Sequence, residues 1–210
     1  MKRVYRLARD RKDSAVYCEI YNSWNFDKAI CPVSFQPVDR SLDWIKSSSV
    51  DVRFYRLLQS AKQDIVFSAY TPFAFVSERA RSIFQSIGLP LDFYPVNKLP
   101  LSDSDKDYYS IDHEEQVFLI RCSNKIRLDF QRTEIAWQND CPGCGRTYPL
   151  FHTMNNPVVV APKGADSRIF TLESWPDSFL YIHQDTLKEW KKLHITGIEN
   201  IKHVFGMLDG

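Results

Sequence analysis

Residues 64–96, DIVFSAYTPFAFVSERARSIFQSIGLPLDFYPV, form the stretch that decides the fold, because residues 168–204, RIFTLESWPDSFLYIHQDTLKEWKKLHITGIENIKHV, repeat its pattern. We call residues 64–96 the first copy and residues 168–204 the second copy. In each copy a short apolar run ends in Phe, at Phe67 and Phe170, and a proline follows. A second apolar run then leads into a segment with helical spacing, which predicts a strand, a strand and a helix.

The first copy predicts a helix over Ser77 to Ile87. Ser77 is a favoured N-cap residue, and Gly88 is the residue type that most often ends a helix. The apolar positions fall on one helical face with the spacing i, i+3, i+4 and i+7; they are Ala80, Ile83, Phe84 and Ile87.

The second copy predicts a helix over Asp185 to His194. Asp185 or Thr186 can act as N-cap, and Thr186 and Glu189 have the spacing of a capping box. The expected inward stripe consists of Leu187, Trp190, Leu193 and His194.

Both copies end in a run typical of a strand, residues 91–96 in the first and residues 198–204 in the second. At offsets of 106 to 108 residues, Phe84 matches Trp190, Ile87 matches Leu193 and Val96 matches Val204. Chance similarity between segments of an α/β chain is the alternative. The pattern favours an α+β fold with mostly antiparallel sheets and two equivalent helices from a duplicated strand–helix–strand unit.

The remaining segments divide the chain into three parts, which pack as one compact domain or two closely packed ones. Residues 1–63 hold two strands (1–8 and 15–21), an irregular aromatic segment and a predicted helix over residues 51–62. Residues 64–115 hold the first copy and an acidic segment. Residues 116–210 hold a predicted hairpin of residues 116–121 and 125–130, the CPGCG turn, a short buried strand or extended segment over residues 157–162, and the second copy.

Composition bounds the cellular setting. The chain has 210 residues and a net charge of +1, so no global charge attracts nucleic acid or a membrane. No apolar run reaches the length of a membrane span, and the basic N-terminus lacks the apolar segment of a signal peptide. Five cysteines, two of them in a CxxC motif, fit a reducing compartment. We therefore expect a cytoplasmic protein without a membrane partner.

The sharpest local motif is Cys141-Pro-Gly-Cys144-Gly145, whose two thiols have the spacing of a zinc knuckle. Zinc takes four ligands, and the nearest further candidates are Cys122 and His152. Three interpretations stay open, namely a structural zinc site, a metal-free turn with reduced thiols, and a redox pair. The redox pair is disfavoured because a thioredoxin-type CxxC opens a helix, whereas Gly145 and Pro149 are typical of a loop.

An acidic segment between the first copy and the predicted hairpin gives a local negative charge. Its carboxylates are Asp103, Asp105, Asp107, Asp112, Glu114 and Glu115. Such a segment is either an ordinary solvated loop or a charged rim that guides a basic partner.

Motifs of enzymes and of nucleic-acid-binding proteins are missing. The sequence contains no GxSxG, GxGxxG, P-loop or HExxH pattern. Basic residues alternate with aromatic residues at 2–6 and 53–56, but no nucleic-acid-binding motif accompanies them, so we interpret them as surface positions of regular elements. The sequence predicts a protein without catalytic residues and without direct nucleic-acid contact.

Several short motifs together resemble immunity proteins of bacterial polymorphic-toxin systems. They are residues 75–79 (FVSER), residues 91–96 (LDFYPV), Tyr108-Tyr109, Thr196-Gly197, and the CPGCG motif with Tyr148-Pro149 after it. The last resembles half of the double-CXXCG branch of those proteins, and the second CXXCG is missing here. The resemblance implies a non-enzymatic cytoplasmic protein that binds and blocks a cognate toxin domain.

The leading functional hypothesis is toxin neutralisation by covering the toxin's active site. The first alternative is a zinc-knuckle protein that regulates or binds nucleic acid. The second alternative is an enzyme whose site is assembled from residues distant in sequence. The sequence does not specify the oligomeric state.

Overall fold

The computed structural model describes residues 2–7, 16–20, 50–57, 63–67, 73–99, 108–109, 116–138, 141–143, 148–149, 155, 157–173, 179–199, 201 and 204–209. Within these ranges the chain forms fifteen strands and two helices, which confirms the α+β class. In chain order the elements are β1 (Lys2–Leu7), β2 (Val16–Ile20), β3 (Val50–Leu57), β4 (Ile65–Phe67), β5 (Ala74–Ser77), α1 (Glu78–Ser86), β6 (Leu91–Lys98), β7 (Tyr108–Tyr109), β8 (Val117–Cys122), β9 (Lys125–Leu128), β10 (Trp137–Gln138), β11 (Tyr148–Pro149), β12 (Val158–Val160), β13 (Ile169–Leu172), β14 (Leu180–His183), α2 (Gln184–Lys192) and β15 (Val204–Asp209).

Six strands close into a barrel in the order β1-β14-β13-β9-β12-β15, which we call the closed barrel. The pairs β13–β9 and β12–β15 are parallel, and the other four are antiparallel. Buried apolar side chains from these strands pack together in one cluster, so the barrel has a solid core. The cluster comprises Val4, Ile126, Leu128, Val159, Phe170, Leu172, Tyr181 and Leu208.

A second sheet has the order β2-β3-β6-β8-β5-β4, with β7 added against β3, and we call it the open sheet. Only the β3–β6 pair is parallel. The two ends of this path, β2 and β4, have Cα atoms within 8 Å of each other. Within the described residues no ladder of backbone hydrogen bonds joins them, so this sheet stops one pairing short of a barrel.

The duplicated unit is present, and the equivalence extends beyond the helices. Ile65 pairs with Val76 in the first copy, and Ile169 pairs with Ile182 in the second. In both copies the strand before the helix and the strand after it hold one antiparallel strand between them, β8 in the first copy and β1 in the second. The open sheet and the closed barrel therefore share one strand arrangement.

Helix α1 matches the sequence prediction closely. The Ser77 hydroxyl caps it by accepting from the backbone N–H of Ala80 at 3.1 Å, and Gly88 follows the helix with a φ of 63°. Ala80 and Phe84 are buried on its inner face. Polar residues fill the outer face, as expected of an amphipathic helix on a sheet.

Helix α2 starts earlier than predicted. It begins at Gln184, and its N-cap is His183, whose Nδ1 accepts from the backbone N–H of Asp185 at 3.3 Å. Thr186 lies inside the helix, where it is buried, so neither Asp185 nor Thr186 is the cap. The prediction missed this because histidine is not among the usual capping residues.

The inner face of α2 also differs in part from the prediction. Leu187 and Trp190 are buried as expected, and Leu193 is partly buried. His194 is exposed. It lies beyond the end of the helix with a φ of 54°, at the position that Gly88 holds after α1. The predicted inward role of His194 is therefore wrong.

The helix predicted over residues 51–62 is also wrong, because β3 occupies Val50–Leu57; residues 58–62 lie outside the described part. Val52 is fully buried, and β3 pairs with β2 on one side and β6 on the other. Its valine and aromatic residues suit a strand. In so short a run the apolar spacing fits a helix and a strand alike, and pairing within the sheet decides for the strand.

One further pairing and the position of one strand differ from expectation. The segments around Ser123-Asn124 are strands β8 and β9, but they do not pair with each other, since β8 belongs to the open sheet and β9 to the closed barrel. In the second copy the returning strand is Val204–Asp209, after the predicted residues 198–204. The earlier run contains a turn in which the Ile201 N–H donates to the Ile198 carbonyl at 3.1 Å.

The two helices meet at the centre of the molecule. The rings of Phe84 and Trp190, which the repeat places at equivalent positions, stack with centroids 4.5 Å apart. One apolar cluster includes these rings together with residues from both sheets, among them Leu7, Ile120 and Ile182. The open sheet and the closed barrel thus share a core. In the described part of the chain, neither helix has the length and apolar character that crossing a membrane requires.

Candidate metal and partner sites

The CPGCG motif lies, in sequence, between two strands that pair with each other. Trp137 pairs with Pro149 and Gln138 with Tyr148 in the antiparallel β10–β11 ladder. Cys141 is 2% exposed, and the turn at Pro142 and Gly143 that follows it is exposed. A cysteine at a turn that lies in sequence between paired strands fits a zinc knuckle or a metal-free turn better than a redox motif, whose first cysteine opens a helix.

The other proposed zinc ligands differ in what can be said of them. Cys144 and His152 lie outside the described residues. Cys122 is a core residue of β8, and its thiol donates to the Ile169 carbonyl at 3.5 Å and to the Asn124 carbonyl at 3.8 Å. Burial raises the pKa of Cys122 to about 12, so this thiol stays protonated at neutral pH. Within the described residues no group of three or more His, Cys, Asp or Glu side chains is placed so that it could hold a metal ion.

The acidic segment is anchored at its middle. Strand β7 pairs with β3, with Tyr109 opposite Arg56 and Tyr108 opposite Leu57. The proposed partner-binding carboxylates lie on both sides of β7 in sequence and all fall outside the described residues; they are Asp103, Asp105, Asp107, Asp112, Glu114 and Glu115.

Sequence analysis missed a polar cluster between the two copies, which centres on Asp64. This residue is 8% exposed. Its carboxylate accepts from the Ser77 hydroxyl at 2.9 Å, from the Arg79 guanidinium at 2.5 Å, and from the N–H and hydroxyl of Thr196 at 3.0 Å each. The Asp64 N–H donates back to the Thr196 hydroxyl at 2.9 Å. These groups satisfy one another, so the cluster joins the two copies.

The C-terminal end of each helix is capped by an arginine from the other copy. Arg79 donates to the carbonyls of Leu193 and His194, at 3.2 and 3.3 Å, where α2 ends. Arg168 donates to the corresponding carbonyls of Ile87 and Gly88, at 2.7 and 2.5 Å, where α1 ends. Cations at helix C-termini satisfy the free carbonyls and the helix dipole. The polar contacts between the copies are therefore reciprocal.

The Thr196-Gly197 pair has a direct structural role at this junction. Gly197 has a φ of +87°, and a Cβ atom there would lie 2.1 Å from the Ile65 carbonyl oxygen. The Ile65 N–H donates to the Thr196 carbonyl at 3.1 Å. Only glycine allows the backbones of the two copies to approach this closely.

In sequence, the wider equivalence also relates Cys31-Pro32 to the first two residues of the CPGCG motif. Strands β2 and β3 correspond to β9 and β12, because each pair is antiparallel and its second strand runs parallel to β6 or β15. Between β2 and β3 the sequence reads Cys31-Pro32-Val33-Ser34, and between β9 and β12 it reads Cys141-Pro142-Gly143-Cys144. The offset of 110 residues was the signal that could have related Cys31 to Cys141; residues 31–34 lie outside the described part.

No known protein family matches the chain, and no curated protein matches it.

Proposed function

We propose that this protein binds a cognate bacterial toxin domain and neutralises it by covering the toxin's active site, without catalysing a reaction itself. The observation that carries the proposal is the Asp64 cluster. Its donors and acceptors are used in fixing the two copies against each other, as a rigid binding scaffold requires. The resemblance of several short motifs to immunity proteins supplies the class of partner.

Long connections of the scaffold offer the contact surface. Loops on a rigid framework carry most binding functions. The connection between β2 and β3 contains the aromatic residues Trp24, Phe26, Phe35 and Trp44, and aromatic side chains dominate the energetics of protein interfaces. A stable complex would bury on the order of 1,600 Å² in total. The acidic segment of residues 103–115 supplies a charged rim for a basic toxin surface.

The direct test is co-expression in the cytoplasm with the product of the neighbouring upstream gene. We expect that gene to stop growth when expressed alone, growth to be restored by this protein, and the two proteins to purify together in a fixed ratio. A catalytically inactivated toxin keeps the complex available for measurement. Gene products that are harmless alone and do not bind this protein would refute the proposal.

The acidic segment is tested separately, with association rates measured at several salt concentrations. Asp103, Asp105 and Asp107 changed together to Lys reverse the local charge, whereas the same three residues changed to Asn only remove it. If the segment guides the toxin, the Lys variant associates more slowly than the Asn variant and the salt dependence of the rate weakens. Unchanged association rates would place the contact surface elsewhere.

A structural zinc ion at the CPGCG turn is the second candidate role, favoured by the burial of Cys141 at a turn between paired strands. Metal analysis of the purified protein should then give one zinc per chain, and Cys141→Ser should abolish it. The same change at Cys122, a core thiol, should leave zinc bound. Binding to nucleic acid that falls steeply with salt would favour the regulatory alternative over toxin neutralisation.

A further inference from the structure

Along the chain, the elements form two series in the same order. The first series is β1, β2, β3, β4, β5, α1 and β6, and we call it the first repeat. The second is β8, β9, β12, β13, β14, α2 and β15, and we call it the second repeat. The small ladder β10–β11 and strand β7 lie in connections outside this shared series. The duplication therefore includes the opening strand of each series.

The opening strand of each repeat pairs with strands of the other repeat. Strand β1, from the first repeat, lies between β14 and β15 of the second. Strand β8, from the second repeat, lies between β5 and β6 of the first. Equivalent rungs support the correspondence, since Val76–Phe118–Pro95 in the open sheet matches Ile182–Tyr5–Val204 in the closed barrel. This rung places Val204 opposite the counterpart of Pro95, one residue before the Val96 that the sequence pattern matched to it.

We propose that the chain is a fused, strand-exchanged dimer of two related repeats. Each repeat has a groove between the strand before its helix and the strand after it, and the groove binds an antiparallel strand donated by the other repeat. Strand β1 is accordingly a separable partner segment for the β14–β15 groove, in the manner of strand addition to an open sheet. This inference concerns assembly and stands independently of the proposed toxin partner.

The groove selects its strand by apolar and charged contacts. Val4 is fully buried among the side chains of the closed barrel, and Leu7 is 1% exposed in the core that both sheets share. Because side chains alternate along a strand, Val4 and Leu7, three residues apart, face opposite sides, and one short strand contributes to both cores. At the start of β1, the Lys2 ammonium lies 2.6 Å from the carboxylate of Asp185 in the first turn of α2. The occupant is therefore a strand with buried apolar residues at these two positions and a basic start.

A simple added edge strand does not account for these contacts. Strand β1 is hydrogen-bonded on both sides, and without it β14 and β15 have no connection through which the barrel closes. Removing β1 would expose the buried faces of both neighbours, as expected for an exchanged element that completes a barrel.

The experiment keeps the full chain and cuts it after folding, at a protease site inserted among residues 8–15. We expect the cut N-terminal fragment to stay bound through gel filtration and to exchange with a labelled peptide of residues 1–9. The peptide with Val4→Asp should bind at least about a hundredfold more weakly, because it would bury an unpaired carboxylate. The peptide with Arg3→Asp, changed at an exposed position, should bind within about tenfold of the unchanged peptide.

Release of the fragment with no change in melting temperature or far-UV circular dichroism would overturn the proposal. A circular permutant provides the second measurement. Leu208 pairs with Lys2, so a short linker can join the end of β15 to the start of β1, and new ends can open among residues 8–15. The proposal expects this chain, in which β1 follows β15 directly, to melt within a few degrees of the original; a permutant that does not fold would contradict it.

Discussion

At the scale of single residues, the junction between the copies depends on one glycine. Among the described glycines with a left-handed backbone, Gly197 and Gly164 have similar φ values of +87° and +82°. A Cβ atom at Gly164 would meet no heavy atom within 4 Å, whereas one at Gly197 would collide with the Ile65 carbonyl. Substitutions at Gly164 and Gly197 therefore separate the cost of a strained backbone from the cost of a steric collision.

We predict that Gly164→Ala lowers the free energy of unfolding by about 1–2 kcal/mol, from the left-handed conformation alone. Gly197→Ala should cost that amount and about 1–3 kcal/mol more, because the methyl group forces the two backbones apart. Urea denaturation of both variants measures the difference. Equal losses in the two variants would mean that the copies are not in tight backbone contact at this position.

Asp64 is the second residue on which the junction depends. Replacing it with Ala leaves the Ser77 hydroxyl and the Thr196 N–H and hydroxyl without their acceptor, and we expect a loss of about 2–4 kcal/mol in unfolding free energy. Asp92→Ala is the matched control, since Asp92 is an exposed residue on β6, and it should change stability by less than about 0.5 kcal/mol. Similar losses from both changes would show that the Asp64 cluster contributes little.

At the scale of elements, the sequence predicted α1 better than α2, and the reason is chemical. Ser77 and Gly88 are residues whose side chain and conformational freedom mark helix ends. The equivalent positions around α2 hold His183 and His194, which carry no such signal. Strand β3 was missed for a different reason, since the eight residues Val50–Leu57 fit helical and strand spacing equally well and only pairing with β2 and β6 decides.

The comparison of helix ends yields a stability prediction. His194 adopts a φ of 54° at the position where α1 has Gly88 with a φ of 63°. His194→Gly should raise the unfolding free energy by up to about 1 kcal/mol by removing the left-handed strain. Gly88→Ala, for which no steric contact arises, should lower it by about 1–2 kcal/mol, as at Gly164. Thermal melts of the two variants should move in opposite directions; shifts in the same direction would refute the equivalence of these caps.

The cap of α2 predicts a dependence on pH. Burial lowers the pKa of His183 below its ordinary value of 6.5, because removing the ring from water disfavours its charged form. As pH falls through 6.5 the unfolded chain takes up the proton first, so stability falls, and the loss is complete below the folded-state pKa. Protonation also removes the Nδ1 acceptor and places a positive charge at the helix N-terminus.

We expect His183→Asn, which retains a capping side chain without a titrating ring, to flatten that part of the stability profile. The measurement is urea denaturation of both proteins between pH 7.5 and the onset of acid unfolding, compared as differences at each pH. The difference should grow as pH falls from about 6.5. A constant difference across the range would show that His183 does not titrate with folding.

At the scale of the whole molecule, the sequence revealed a duplication without revealing how the repeats are joined. Apolar patterns predict which residues are buried, but they do not say which strand pairs with which. Strands β8 and β9, separated by Ser123 and Asn124, look like a hairpin locally and belong to different sheets. The candidate site shows the same limit, because the CPGCG spacing identifies two cysteines, whereas further ligands would have to come from segments brought together by folding.

The shared core predicts that the two sheets unfold as one unit. Phe84 and Trp190 stack between them, and the exchanged strands leave neither sheet complete without residues from the other repeat. Near-UV and far-UV circular dichroism should therefore report one coincident urea transition. Phe84→Ala should shift both signals together by about 3–5 kcal/mol, since the cavity lies in the common cluster. Two separated transitions, with only one displaced by the substitution, would show that each sheet has a core of its own and that the helices merely touch.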